Sequence, residues 1–107
     1  MHRTQFSDRE RRRRSRLSQI IHQARFLRGA LSLRNIRCGK PSCRCTQGEL
    51  HACLYLVRRR GGKLRQLFVP RQWEGRIREA VKNHQEMEQL IEELSDLEWK
   101  RLKERKE

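Results

Sequence analysis

The segment RCGKPSCRCTQGELHAC, residues 37–53, holds all four cysteines of the chain and one of its four histidines. The spacing is C-x4-C-x-C, followed by five residues to His51 and seven to Cys53. Zinc is held by four soft or borderline donors in a tetrahedron, and a loop between two strands can wrap one ion where the backbone turns sharply. Gly39, Pro41 and Gly48 supply that freedom and constraint. Cys38, Cys43, Cys45 and His51 form the first candidate ligand set for Zn2+. Cys53 is the alternative fourth ligand, or a small apolar residue at the start of a strand. A redox-active or unligated cysteine cluster is the competing reading.

The metal expected here is structural. A catalytic zinc keeps an open position beside a general base, and Glu49 is the only acid near the loop. The deaminase pattern, H-x-E with a later P-C-x-x-C, is not matched. No Ser/His/Asp or Cys/His arrangement with an orienting acid is found, and the glycines do not form a phosphate-cradling loop. An enzyme is not expected. The N-terminal stretch has no apolar run and no segment is long enough to span a bilayer, so a cytoplasmic protein is expected. In a reducing cytoplasm, clustered cysteines bind metal more often than they form disulfides.

The formal charge of +14 is sorted along the chain. Residues 1–28 hold nine Lys+Arg against two acids, residues 29–72 ten against one, and residues 73–107 eight against ten. A concentrated positive field calls for a polyanion, and nucleic acid is the commonest one in a cytoplasm.

Three segments must position these groups. Ser7 is a suitable N-cap, with Asp8 and Glu10 in the first turn and Leu17, Ile20, Ile21, Ala24 and Leu27 at helical spacing. This predicts a helix over 8–28 within a basic N-terminal segment, residues 1–28. Arg11 to Arg14 cover all sides of its first turns, so this end is expected to stay out of any core. Residues 29–70 read as a zinc-loop and β-hairpin module, with a strand over 30–37. Two apolar runs then flank Gly61-Gly62, a pair suited to a two-residue hairpin turn. That turn pairs Arg60 with Lys63, Arg58 with Arg65, Leu56 with Leu67 and Leu54 with Val69 on one face, leaving open which face meets the helices. Tyr55 and Phe68, on the other face, are the better candidates for stacking on bases. From Pro70 onward, Trp73, Ile77, Val81, His84, Met87, Ile91 and Leu94 predict a long amphipathic helix over 71–105, within a C-terminal segment of residues 71–107. Trp73 and Trp99 read as packing anchors at its ends, and His84 as a core or interface histidine.

The stretch LRGALSLRNIRCGKPSCRCTQGELHACLYLVRRRGGKLRQLFVP, residues 27–70, resembles a family of short uncharacterised prokaryotic proteins. The shared core is R-G-S/A-L, R-C-G-K-x-x-C-x-C, G-x-x-H, an aromatic strand, G-G-K and V-P. The resemblance implies that His51 stands where such proteins have their loop histidine. It also implies a link to mobile elements, and hence to DNA. This chain departs from the pattern at Ala52-Cys53-Leu54, where such proteins show G-P-Y.

The fold expected is therefore α+β: an N-terminal helix, a small three-stranded antiparallel sheet with a zinc-binding loop between strands 1 and 2, and a long C-terminal helix. The function expected is a zinc-stabilised nucleic-acid-binding protein, DNA rather than RNA, making mainly phosphate contacts. The contacts expected come from Arg11, Arg12, Arg13, Arg14 and Arg16 on the first helix, with Arg9 beside them. Lys40 and Arg44 of the loop, and Arg58, Arg59, Arg60, Lys63 and Arg65 of the hairpin, complete the set. The alternative is an adaptor or regulator that docks a protein partner, or a second copy, through the C-terminal helix. A basic membrane-surface helix ranks last, because the apolar stripe of the first helix is narrow and lacks tryptophan.

Overall fold

The computed structural model describes residues 6–36 and 51–105. The order of elements is α1 (Asp8–Gln23), β1 (Ala30–Ile36), β2 (His51–Arg60), β3 (Lys63–Val69), a single 3₁₀ turn (Arg71–Trp73) and α2 (Glu74–Glu104). This is the α+β arrangement expected. The predicted zinc loop lies outside the described residues, apart from its last candidate ligands. Among the described residues no helix is long and apolar enough to cross a membrane. The chain divides into two compact units, Met1–Phe26 with Lys82–Glu107, and Leu27–Val81, and α2 runs from the second into the first.

The first unit is a pair of helices. Ser7 caps α1 as expected, its hydroxyl accepting from the Glu10 amide at 3.2 Å. Ile20, almost fully buried, packs with Met87 and Leu90 of α2, and Leu17 and Ala24 close the apolar seam. Polar contacts continue it: Glu10 with Arg101, Arg13 with Glu93 at 2.6 Å, and Arg16 with Glu86 at 2.7 Å. Residue numbers rise along α1 as those of their partners fall along α2, so the helices run antiparallel. The expectation that the Arg11–Arg14 end stays out of any core is corrected, because Glu10 in the same turns is fully buried. The expected helix over 8–28 also ends early, at Gln23, with Ala24 already extended. Tertiary contacts override the helical periodicity there. Asn83 Nδ2 donates to the Arg25 carbonyl at 2.9 Å, and Phe26 stacks on His84 with ring centroids 6.5 Å apart.

In the second unit β2 is the central strand, flanked by β1 and β3, and both pairings are antiparallel. The hairpin register is the expected one, from Arg60↔Lys63 to Leu54↔Val69. The face left open by the sequence is now assigned. Leu54, Leu56 and Val69 are buried against Val81, with Ile77, Leu31 and Leu27 around them. Burying each leucine is worth about 1.5–3 kcal/mol relative to leaving it exposed. The Leu27 amide donates to the Ala80 carbonyl at 3.0 Å, fixing the chain where it enters the sheet.

Glu10 is one of three carboxylates that couple the helix pair to pH. The hydrogen bond from Arg101 is the main reason its carboxyl titrates below the ordinary 4.5; burial opposes this shift and a hydrogen bond from Arg14 adds to it. Glu86 is lowered chiefly by its hydrogen bond from Arg16, and Glu93 by those from Gln89 and Arg13. A carboxylate lowered in the folded state contributes stability that is fully present above its unfolded value and lost as pH falls through the folded one. Thermal melts of Glu10→Gln and the parent chain, taken from about pH 7 to about pH 2, should therefore diverge most near neutrality, with the variant weaker. They should converge below 4.5. A constant difference at every pH would contradict the assignment.

Candidate functional site

The hairpin turn requires positive φ at both central residues, which Gly61 and Gly62 supply at 59° and 78°. The tight turn holds strict register, and side chains alternate between faces. The face that carries Leu54, Leu56, Leu67 and Val69 at the base of the hairpin thus carries Arg58, Arg60, Lys63 and Arg65 toward the tip. Arg58 and Arg65 are direct cross-strand partners. Their Cβ atoms are about 5 Å apart, and like charges so placed repel.

Arg28 joins this group through a close backbone approach. A Cβ on Gly29 would stand 2.7 Å from Leu56 Cδ1 and 3.1 Å from the Val57 carbonyl oxygen. Only glycine lets the chain lie so near β2, and the approach delivers Arg28 to the hairpin. Arg28, Arg58, Arg60 and Arg65 then line one cleft of about 520 Å³, together with Leu27, Leu56 and Leu67. No acid lines it among the described residues. Arg58 Nε is buried with no hydrogen-bond partner among the described residues. Leaving a donor of this kind unsatisfied costs about 1–3 kcal/mol. A bound anion would relieve the cross-strand repulsion.

The arginines of α1 have a different environment. Arg13, Arg14 and Arg16 are committed to Glu93, Glu10 and Glu86, and Arg16 grips Glu86 with two nitrogens at 2.7 and 2.9 Å. Arg11 donates to the Phe6 carbonyl at 3.1 Å. Arg12 is exposed and has no hydrogen-bond partner among the described residues. The acids that occupy these arginines come largely from the last third of the chain, a pairing that the sorting of charge along the sequence concealed. Arg28 was missed for another reason: its place depends on Gly29, a tertiary approach with no local signature beyond the glycine.

The opposite sheet face holds Tyr55 and Phe68 edge to face, centroids 5.9 Å apart, with the Arg34 guanidinium 4.6 Å over the Tyr55 ring. Phe68 is 55% exposed. Arg59 stands on this face as well, so it does not enter the cleft. Of the expected metal ligands, Cys38, Cys43 and Cys45 lie outside the described residues, as do Lys40 and Arg44. His51 opens β2 as the register partner of Ile36, and Cys53, partly buried, pairs in register with Arg34. The two ends of the cysteine loop are therefore held side by side.

The repulsion between Arg58 and Arg65 has a measurable consequence. Arg65→Gln should raise the thermal stability of the anion-free protein at low salt by a few tenths of a kcal/mol, the usual scale of a cross-strand pair. The gain should vanish when phosphate is added to both proteins. A variant less stable than the parent at low salt would show that the pair is not strained.

Residues 6–79 match the model of a family described as Domain of unknown function (DUF6788). Neither the curated proteins nor the solved structures provide a match to the chain. The family match takes in α1, the whole sheet and the first turns of α2, including all four cleft arginines. The chain belongs to the DUF6788 family.

Proposed function

We propose that this protein binds nucleic acid, DNA in the first place, by gripping phosphates in the hairpin cleft. The observation that carries this reading is the convergence of Arg28, Arg58, Arg60 and Arg65 on one cleft that no acid lines among the described residues. Guanidinium groups bind phosphate oxygens through paired N–H donors, and such contacts give affinity without reading bases. Arg11 and Arg12 on α1, and Lys40 and Arg44 of the loop, add to the positive field. The three arginines held by acids contribute less. A binding protein with no catalytic constellation fits this site better than an enzyme does. The resemblance of residues 27–70 to proteins linked with mobile elements favours DNA as the polyanion.

Zinc completes the reading as a clip. Cys38, Cys43 and Cys45, with His51 or Cys53 as the fourth donor, have the thiolate-rich chemistry of a structural site. A zinc ion would supply rigidity to the loop that β1 and β2 close, and no chemistry beyond that. So small an apolar core makes such a staple valuable.

Two measurements test these statements. Fluorescence anisotropy with duplex DNA, single-stranded DNA and hairpin RNA should show tightest binding to the duplex. Affinity should fall linearly on a log–log plot against salt, with a slope of about −3 to −4 for three or four phosphates. Arg58→Gln with Arg60→Gln and Arg65→Gln should flatten that slope, whereas Arg13→Gln should leave it nearly unchanged; equal losses from both would move the site away from the cleft. Separately, removing zinc with a chelator should lower the melting temperature and loosen the sheet. Unchanged circular dichroism and stability after verified metal removal would eliminate the clip.

A further inference from the structure

We propose that the second half of α2 pairs antiparallel with the same segment of a second copy of this chain. The helix presents its acidic and apolar residues to α1 on one side, through Glu86, Met87, Leu90 and Glu93. On another side it carries a stripe that α1 does not cover. Ile91 is 53% exposed, Leu102 60% and Trp99 72%, and Ser95 lies exposed among them. Trp99, expected to be a packing anchor, is not covered by α1. At 3.6 residues per turn, positions 88, 91, 95, 99 and 102 fall within an arc of about 80°. A soluble chain rarely leaves a tryptophan and two large aliphatic residues in line without a partner.

The order of residues along the stripe selects that partner. Reading outward from Ser95, Ile91 lies four residues before it and Trp99 four after it. Glu88 lies seven residues before it and Leu102 seven after it, with Lys103 one residue further on and about 40° outside the arc. The segment is thus complementary to itself when reversed. A two-fold axis beside Ser95 puts the small residue at the point of closest approach and sets Ile91 of each copy against Trp99 of the other. It also brings Glu88 of each copy opposite Leu102 of the other, with Lys103 beside it on the same flank of the pair. This is the isologous arrangement that closed dimers require. Glu88 is 60% exposed and held at the border of the stripe by His84, whose Nδ1 lies 3.0 Å from Glu88 Oε1. Lys103 is exposed and has no ion-pair partner among the described residues. The acidic middle and basic end of α2 make a parallel pairing repulsive and an antiparallel one attractive. One helix pair is a small interface, so the association is reversible and concentration-dependent.

The proposal is independent of nucleic-acid binding and is tested by sedimentation velocity on the full zinc-loaded chain freed of nucleic acid, over the micromolar range. The parent should shift from monomer to dimer with concentration. Trp99→Ala should weaken the dimer at least tenfold with unchanged circular dichroism. Glu88→Lys and Lys103→Glu should each weaken it several-fold, and the double variant should recover most of the loss. A monomer at every concentration would overturn the proposal. So would a dimer indifferent to Trp99→Ala, or a double variant as weak as either single one, since these place the contact elsewhere or in another register.

Discussion

The ion pairs between α1 and α2 decide which arginines of this chain remain available to another molecule. Glu10, Glu86 and Glu93 take up Arg101, Arg16 and Arg13 within one helix pair. Pairs of this kind add little stability where they are exposed. Their larger effect is on register and on charge. They lock the two helices antiparallel at three heights, and they neutralise the face of α1 that the sequence would nominate first as a polyanion contact. Glu10 is the strongest case, since a fully buried carboxylate is tolerated only when its charge is matched.

The hairpin is the opposite case. Its register is enforced by a glycine-pair turn and by burial of Leu54, Leu56 and Val69 at its base. Once that register is set, Arg58 and Arg65 have no choice but to face each other. The same core that stabilises the sheet thus holds a repulsive pair in place, and Gly29 brings a third guanidinium to it. No intramolecular acid resolves this arrangement among the described residues. The site rests on the packed leucines beneath it and is electrostatically incomplete among the described residues.

Much of this was legible in the amino-acid order. The Ser7 cap, the two-residue turn, all of the hairpin pairs and the long C-terminal helix follow from short-range rules. Periodicity and turn chemistry act over a few residues and leave a local trace. What could not be read was tertiary. Helix α1 keeps apolar spacing through Leu27, yet it stops at Gln23 because Arg25 and Leu27 are bound by residues more than fifty positions away. Both hairpin faces carry apolar residues at the base, so only the packing of Ile77 and Val81 could show which is inside. The partition of arginines into paired and unpaired sets depends on which acids the fold brings near, and composition alone cannot supply it. Three of the candidate metal ligands, Cys38, Cys43 and Cys45, lie outside the described residues.

We propose that the hairpin cleft, and not the arginine-rich helix, grips the polyanion. The most direct measurement is a two-dimensional NMR titration of the arginine Nε–Hε signals with a short DNA duplex. With the cleft as the phosphate site, Arg28, Arg58, Arg60 and Arg65 shift first and furthest, while Arg13 and Arg16 hold their positions. Early shifts confined to α1, with the cleft signals unmoved, would contradict it.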